Sequence, residues 1–489
     1  MSCSTFFQDV HFSLLEKIVA VVKDCLKGVC ESARPKNAGK QPHVVIVAYT
    51  CWPFWGSEPE VGWRWALAAS ENARVHVITR KQAEGFIKKY IDRYGEPQNV
   101  KFIIKDFPVI SRFIRGMRLN RIHYFLWQFL AIGQILRINK YDPVDIVHHV
   151  TFVNIWIPAL AMLLPFHTVW GPAGTNLGIP KQLKKKMGLS ISERMSDTFR
   201  RFVLQRLSPI NPVLLMSYIG ADRIVAINPE CKNLIPDRYH YKVRIAAANA
   251  VNACEVAERT HATDQIRIAY VGRLLNFKGI HFALRAFDRF LGDFGLKSKL
   301  VVVTGQNFDH ASPKFTRFIS GNGDPPEKRA PADRHTIREL NRLIDYAAKH
   351  KIESSIEIYG AMSPQRVLQE MKRANVLLHP SFEGGGVVVL EALSVGTPVI
   401  CLNTGGPGEY VDATCGIKVE VGGYKQTIGK LANAVGTVCC DTRLWKALSE
   451  GAFERVRQAY LWSHKVRLIS DCYTELMTGK LVADQFGNG

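Results

Sequence analysis

The sequence has no apolar run long enough to cross a bilayer, which takes about twenty residues. Its most apolar stretch, residues 153–170, is interrupted by Asn154, Pro158, Pro165 and His167. No transmembrane helix is expected, and Asp9, Glu16, Lys17, Lys23 and Asp24 break up the N-terminal stretch too often for a signal peptide. The 11 cysteines are odd in number, scattered, and never two residues apart as a pair. That excludes a secreted disulfide framework and the usual zinc-ligand spacing, and makes a reduced, cytoplasmic compartment the expectation. Acidic residues are in short supply, with 43 Asp and Glu against 64 Lys and Arg for a net charge of +21. Residues 1–250 hold 34 of the basic and 18 of the acidic side chains, so the excess belongs to one half. Such a surface suits nucleic acid, an anionic membrane or a phosphorylated substrate.

What is present is an ordinary globular composition, 47% hydrophobic and 22% charged over 489 residues, enough for two to four domains. Residues 1–42 read as an amphipathic helix followed by a polar linker. Phe12, Leu15, Ile18, Val19, Val22, Leu26 and Val29 recur at helical spacing, which suits either a packed cap or a membrane surface. From residue 43 short apolar strands alternate with helices, at 44–48, 75–79, 100–104, 145–149, 168–170 and 223–227. A second series runs through 266–271, 299–303, 356–359, 376–379 and 398–401. Uninterrupted apolar strands of this length are buried on both faces in parallel sheets. The expected fold class is therefore α/β, two tandem Rossmann-like domains facing across a cleft, with an N-terminal helical extension. The domains are placed at 43–252 and 264–442, with residues 443–478 as a helix returning to the first domain and 479–489 as a tail. Residues 307–331 read as a surface insertion.

Two segments carry chemistry. A strand ends at His379 and is followed by Ser381, Glu383, three glycines at 384–386, and a helix containing Val387, Val388 and Glu391. Glycine lets backbone N–H groups approach a ligand, and a helix N-terminus favours an anion, so diphosphate is the natural guest. Glu391 suits a neutral diol such as a ribose, and Glu383 can accept from sugar hydroxyls. The other strand ends at Gly272, with Arg273 and Lys278 in the following loop. Arg clamps phosphate through two parallel hydrogen bonds and Lys acts as a point charge.

Together these segments resemble the retaining glycosyltransferases called group 1 or family four, which have the GT-B fold. Glu383 and Glu391 with Ser381 and the glycines, the loop from Val271 through Arg273 to Lys278 and Gly279, and the run from Thr404 to Glu409 carry the likeness. Gly56 to Glu58, residues 221–227 and residues 460–463 add support. The resemblance implies transfer of a sugar from a nucleotide-diphosphate donor with retention; together with the basic surface, the expected acceptor is lipid-linked or a polysaccharide. Arg273 and Lys278 would neutralise the leaving diphosphate, Glu383 hold the donor sugar and Glu391 the ribose. Gly56, Gly272, Gly384, Gly385, Gly386, Val387 and Val388 would complete the donor site through backbone groups, with the base near residues 360–362. The family favours front-face chemistry without a protein nucleophile. This chain departs at Gly385, where relatives carry an aromatic, and at Trp170, where many carry a histidine; His149 is the preferred catalytic substitute over His148.

No Asp-x-Asp triplet occurs, so no metal and no cofactor are expected, the cations supplying the charge a divalent ion would otherwise bring. Arg112, Arg115, Arg118 and Arg121 repeat every three residues beside an aromatic stretch, and Lys184, Lys185 and Lys186 follow Lys181. Cations beside apolar residues fit an anionic cytoplasmic leaflet, giving a peripheral membrane location. No nucleic-acid motif accompanies them. A nucleotide-sugar epimerase of the same architecture and a non-catalytic sugar-nucleotide scaffold are the alternatives.

Overall fold

A computed structural model describes residues 3–30, 41–54, 56–107, 117–176, 178–184, 187, 191–252, 259–262, 264–306, 319–321 and 333–480. The chain forms two compact units. The first comprises Met1–Thr175, Phe202–Asn249 and Trp462–Gly489, and the second Asn176–Arg201 and Ala250–Leu461. Residues 176–201, which the sequence reading placed with the first domain, therefore cluster with the second.

The first unit is built on seven parallel strands: β1 (His43–Ala48), β2 (Arg74–Thr79), β3 (Val100–Ile104), β4 (Ile146–Thr151), β5 (His167–Ala173), β6 (Arg223–Ala226) and β7 (Val243–Ile245). Their order is β3-β2-β1-β4-β5-β6-β7, so the winding direction reverses between β1 and β4. Every residue of β1 and β4 is buried; the apolar run Val44–Ala48 of β1 requires this when helices cover both faces, and β4 buries His148 and His149 as well. The N-terminal helix Cys3–Cys30 buries Leu15 and Val19. It is tied down by Lys23 Nζ donating to the Gly220 carbonyl at 2.8 Å and by Tyr239 OH donating to Glu16 at 3.1 Å. These bonds hold one face of that helix against the first unit.

The second unit has strands β8 (Ile266–Val271), β9 (Ser298–Val303), β10 (Ile319–Gly321), β11 (Ile356–Tyr359), β12 (Val376–His379), β13 (Val399–Leu402) and β14 (Gly416–Val419). Their order is β10-β11-β9-β8-β12-β13-β14, again reversing, here between β8 and β12. The expected α/β class with two tandem, doubly wound parallel sheets is what the chain adopts. β10 lies inside the stretch read as an insertion, most of which is outside the described residues.

The final helix is two helices, Thr442–Ala459 and Trp462–Thr478. The break falls at Tyr460, whose hydroxyl donates to the Glu409 carbonyl at 3.3 Å and whose ring meets Tyr410 at 5.2 Å. Val251 N donates to Tyr460 O at 2.9 Å, and Val251 bridges Leu461 in parallel. The last helix then joins the first unit. There Tyr473 OH lies 2.7 Å from His148 Nδ1, and Glu475 accepts from Arg223 at 3.0 Å and Arg244 at 2.5 Å.

Candidate active site

In a doubly wound sheet, the carboxyl ends of the two strands flanking the reversal open a crevice that loops cannot close over. In the second unit those strands are β8 and β12, and the two segments singled out from the sequence are the loops that follow them. Phe382 N donates to the Phe277 carbonyl at 2.8 Å, joining the loops. Gly279 makes the approach: its φ is +74°, and a Cβ there would stand 1.9 Å from the Pro380 carbonyl oxygen. Only glycine fits both the left-handed backbone and the contact.

At this junction the Lys278 ammonium donates to Glu383 Oε2. Glu383 Oε1 accepts from His379 Nε2 at 2.7 Å and from Ser381 Oγ at 3.1 Å. Burial alone would raise the Glu383 carboxyl pKa, but the charge of Lys278 and the bond from His379 outweigh it and hold the group well below the usual carboxylate range. The buried carboxylate is an anion fixed by three donors. A carboxylate offers about four acceptor positions, which leaves Glu383 room for one more donor. Its main structural effect is to position Lys278. His379, wholly buried at the end of β12, is the member of this cluster that the site reading omitted. Its spacing of four from Glu383 was the available signal.

The glycine turn is cradled from behind. Gly406 N donates to the Glu383 carbonyl at 3.2 Å, and a Cβ on Gly406 would lie 1.7 Å from the Gly385 carbonyl oxygen. The run from Thr404 thus matters because the helix Gly405–Tyr410 packs its backbone directly on residues 383–385. Gly384 N donates to Asn176 Oδ1 at 2.6 Å. Gly386, at φ +118°, caps the helix Val387–Ser394. Three valines open that helix despite their strand preference, because Val389 is buried with Leu390 and Leu393. Val387 and Val388 occupy the first turn, where amides have no intrahelical acceptor. Glu391 is half-buried on the same helix. Gly272 ends β8 with its amide on the Val303 carbonyl at 2.9 Å, and Arg273 beside it is exposed.

In the first unit the reversal lies between β1 and β4. Gly56, at φ +68°, caps the helix Ser57–Ser70. Glu58 in its first turn accepts from the Val153 amide at 2.6 Å, and burial pushes its carboxyl pKa up to about 7 against the pull of that bond and of Arg121. His149, the histidine preferred for catalysis from the sequence, has no exposed surface. It is wholly buried at the end of β4, with Nε2 2.5 Å from Tyr124 OH, and burial pushes its pKa down to about 3. The ring is neutral and packs the strand end. His148 is a structural group as well, bonded to Tyr473 and to the Gly171 carbonyl at 2.9 Å.

Of the cations assigned to a membrane surface, Arg121 is exposed, 4.7 Å from the Trp156 ring centroid. Arg112, Arg115, Lys185 and Lys186 lie outside the described residues, as does the Arg118 side chain. Lys184 corrects the reading: it is buried and ion-paired with Asp197, since a short helix Lys181–Lys184 turns it inward onto the helix Ile191–Phe202.

The sheet order, the crevice and the cation–carboxylate pair define a tandem Rossmann-like protein with a Lys278–Glu383 pair at the strand end of its second unit. Residues 255–435 match the family model described as glycosyl transferases group 1. A sucrose synthase of Acidithiobacillus caldus is 27% identical over 152 residues, covering 30% of this chain and 19% of that protein. The match therefore spans only a small part of that relative's length. Among solved structures, sucrose-phosphate synthase of Thermosynechococcus elongatus aligns with a TM-score of 0.57 at 16% identity, covering 90% of this chain and all of that one (100%). The Anabaena protein HepE, solved with UDP and glucose, aligns at 0.52 with 12% identity, covering 89% and 100%. At these identities the structures share the fold.

Proposed function

We propose that this chain is a retaining, metal-independent glycosyltransferase that moves a hexosyl group from a nucleotide-diphosphate donor to a lipid-linked or glycan acceptor at the cytoplasmic face of a membrane. The observation that carries the reading is the Lys278–Glu383 pair at the β8–β12 crevice, set beside a glycine turn and a helix start that no side chain caps. In the mechanism, Lys278 and Arg273 and the Val387 and Val388 amides receive the diphosphate. Glu383 takes one sugar hydroxyl with its remaining acceptor position, and Glu391 takes the ribose. The bond between the sugar's anomeric carbon and the phosphate oxygen breaks as the acceptor oxygen approaches the same face. The departing phosphate oxygen takes the acceptor proton, so the protein contributes positioning and charge stabilisation. Arg273 and Lys278 fill the electrostatic role of a divalent ion. The match to a group 1 model and the fold shared with a UDP-bound neighbour support a nucleoside diphosphate donor.

The membrane side of the reading rests on exposed apolar rows in the first unit. Leu14, Ile18 and Val21 are 56%, 38% and 60% exposed along one helix, and Ile122, Leu126 and Phe129 are 57%, 39% and 56% exposed along another. Both rows repeat at i, i+4, i+7, and Lys17 and Arg121 flank them, the pattern of a surface that lies on anionic lipid. Among the described residues no helix is long and apolar enough to cross a membrane.

The test is a transfer assay with a panel of labelled nucleotide sugars and membrane-lipid acceptors. Transfer or donor hydrolysis with one donor supports the reading. No turnover across the full panel, or a product of inverted anomeric configuration, overturns it.

A further inference from the structure

The amino ends of β1 and β2 carry a cluster that has no part in the site above. His43 opens β1 and pairs in register with Arg74, which opens β2. Side chains alternate along a strand, so Arg74 and His76 both share the face of His43. His43 Nδ1 lies 2.7 Å from the Pro143 carbonyl oxygen. A carbonyl can only accept, so Nδ1 carries the proton and Nε2 presents its lone pair. That lone pair faces His76 Nδ1 at 2.7 Å. Asp142, just beyond the helix Met117–Tyr141, places one carboxylate oxygen 3.6 Å from His43 Nδ1. Arg74 holds the same carboxylate through two hydrogen bonds of 2.5 and 2.8 Å. One ligand atom from each of His43, His76 and Asp142 falls within 4.8 Å of the others.

We propose that His43, His76 and Asp142 bind a divalent ion of the zinc class, at a structural site separate from the sugar-transfer chemistry. Two imidazole nitrogens and a carboxylate oxygen suit Zn²⁺, Ni²⁺ or Cu²⁺ and not Mg²⁺ or Ca²⁺. A ring whose Nδ1–H is fixed on a backbone carbonyl while Nε2 points inward has the orientation that metal-bound histidines need. Asp142 is likewise oriented, by Arg74, with acceptor positions to spare. The guanidinium is 48% exposed, so water screens its repulsion of the ion.

Binding replaces the hydrogen bond between the rings. The proton on His76 Nδ1 moves to its Nε2, so both rings stay neutral and no proton is released. The facing nitrogens must separate to roughly 3.3 Å for metal–nitrogen bonds of about 2.0–2.1 Å. His76 is half-buried, which gives its ring room to swing and leaves a fourth position open to water. The ion would join β1, β2 and the turn before β4, three segments far apart in sequence.

The experiment is calorimetric titration of Zn²⁺ into the full chain with the exposed thiols of Cys25 and Cys440 alkylated. The expected result is one saturable ion per chain and a higher melting temperature with zinc. His76→Gln and Asp142→Asn should each weaken binding at least about tenfold while the circular dichroism is kept. No saturable binding by the wild type, or equal binding by a folded His76→Gln variant, overturns the proposal. If neither variant folds, cobalt(II) absorption by the wild type decides: tetrahedral nitrogen–oxygen ligand bands uphold the site and their absence overturns it.

Discussion

Lys278 and Glu383 stand 105 residues apart in sequence and share a hydrogen bond at the crevice between β8 and β12. A buried carboxylate is costly unless donors surround it. Here Lys278, His379 and Ser381 do so. The pair is an element of stability and, in our reading, half of the donor site.

Removing one partner of a buried pair leaves the other uncompensated. Lys278→Ala should lower stability by about 3–5 kcal/mol, and Lys278→Ala with Glu383→Gln should recover part of that loss. A chemical-denaturation double-mutant cycle measures the coupling, and additive effects would remove the pair's structural role.

Gly279→Ala tests the junction without touching any charge. The added Cβ meets the Pro380 carbonyl at 1.9 Å in a left-handed backbone. The variant should lose about 2 kcal/mol or more and bind nucleotide less tightly, because the two loops must part. A melting temperature equal to wild type would show that the loops do not rely on this contact.

Glu58 makes a pH prediction. Its carboxyl has an ordinary pKa of 4.5 and about 7 in the fold. The folded state favours the protonated form, so the stability this group contributes is full below pH 4.5 and is lost as pH rises through about 7. Glu58→Gln keeps an acceptor for the Val153 amide and should gain on wild type across that window, by about 2 kcal/mol once discounted for partial exposure. Melting temperatures of both proteins from pH 4 to pH 8 would show the divergence, and parallel curves would place the Glu58 pKa at its ordinary value.

Exposed apolar rows predict vesicle binding. Ile122→Glu with Phe129→Glu should reduce co-sedimentation with anionic vesicles by about tenfold or more, since each buried apolar side chain contributes about 1.5–3 kcal/mol. Turnover on a soluble acceptor should stay unchanged. Undiminished vesicle binding would turn attention to the other basic segments.

Buried strands were plain in the sequence where apolar residues dominate a short run, as in β1, and in β8 despite Arg267. β7, β10 and β14 were not, and each lies at a sheet edge. An edge strand of three or four residues, half-exposed like Val243–Ile245, has neither length nor apolar continuity to announce itself. The break at Tyr460 was hidden because helical periodicity runs on through it. What stops the helix is a contact with Glu409 and Tyr410, outside any local window. The two loops of the candidate site were legible from glycine and charge. His379's bond to Glu383 and the inward turn of Lys184 depend on tertiary packing, and the His43, His76 and Asp142 cluster gathers residues from three segments with no common spacing.

The most direct test is isothermal titration of UDP, GDP, ADP and TDP into the wild type and a folded Lys278→Gln variant. Our account predicts that at least one diphosphate binds the wild type with one site per chain. Losing a charge-assisted contact should then weaken that ligand by about tenfold or more in the variant. Equal affinity for both proteins, or no binding of any of the four by the wild type, would contradict it.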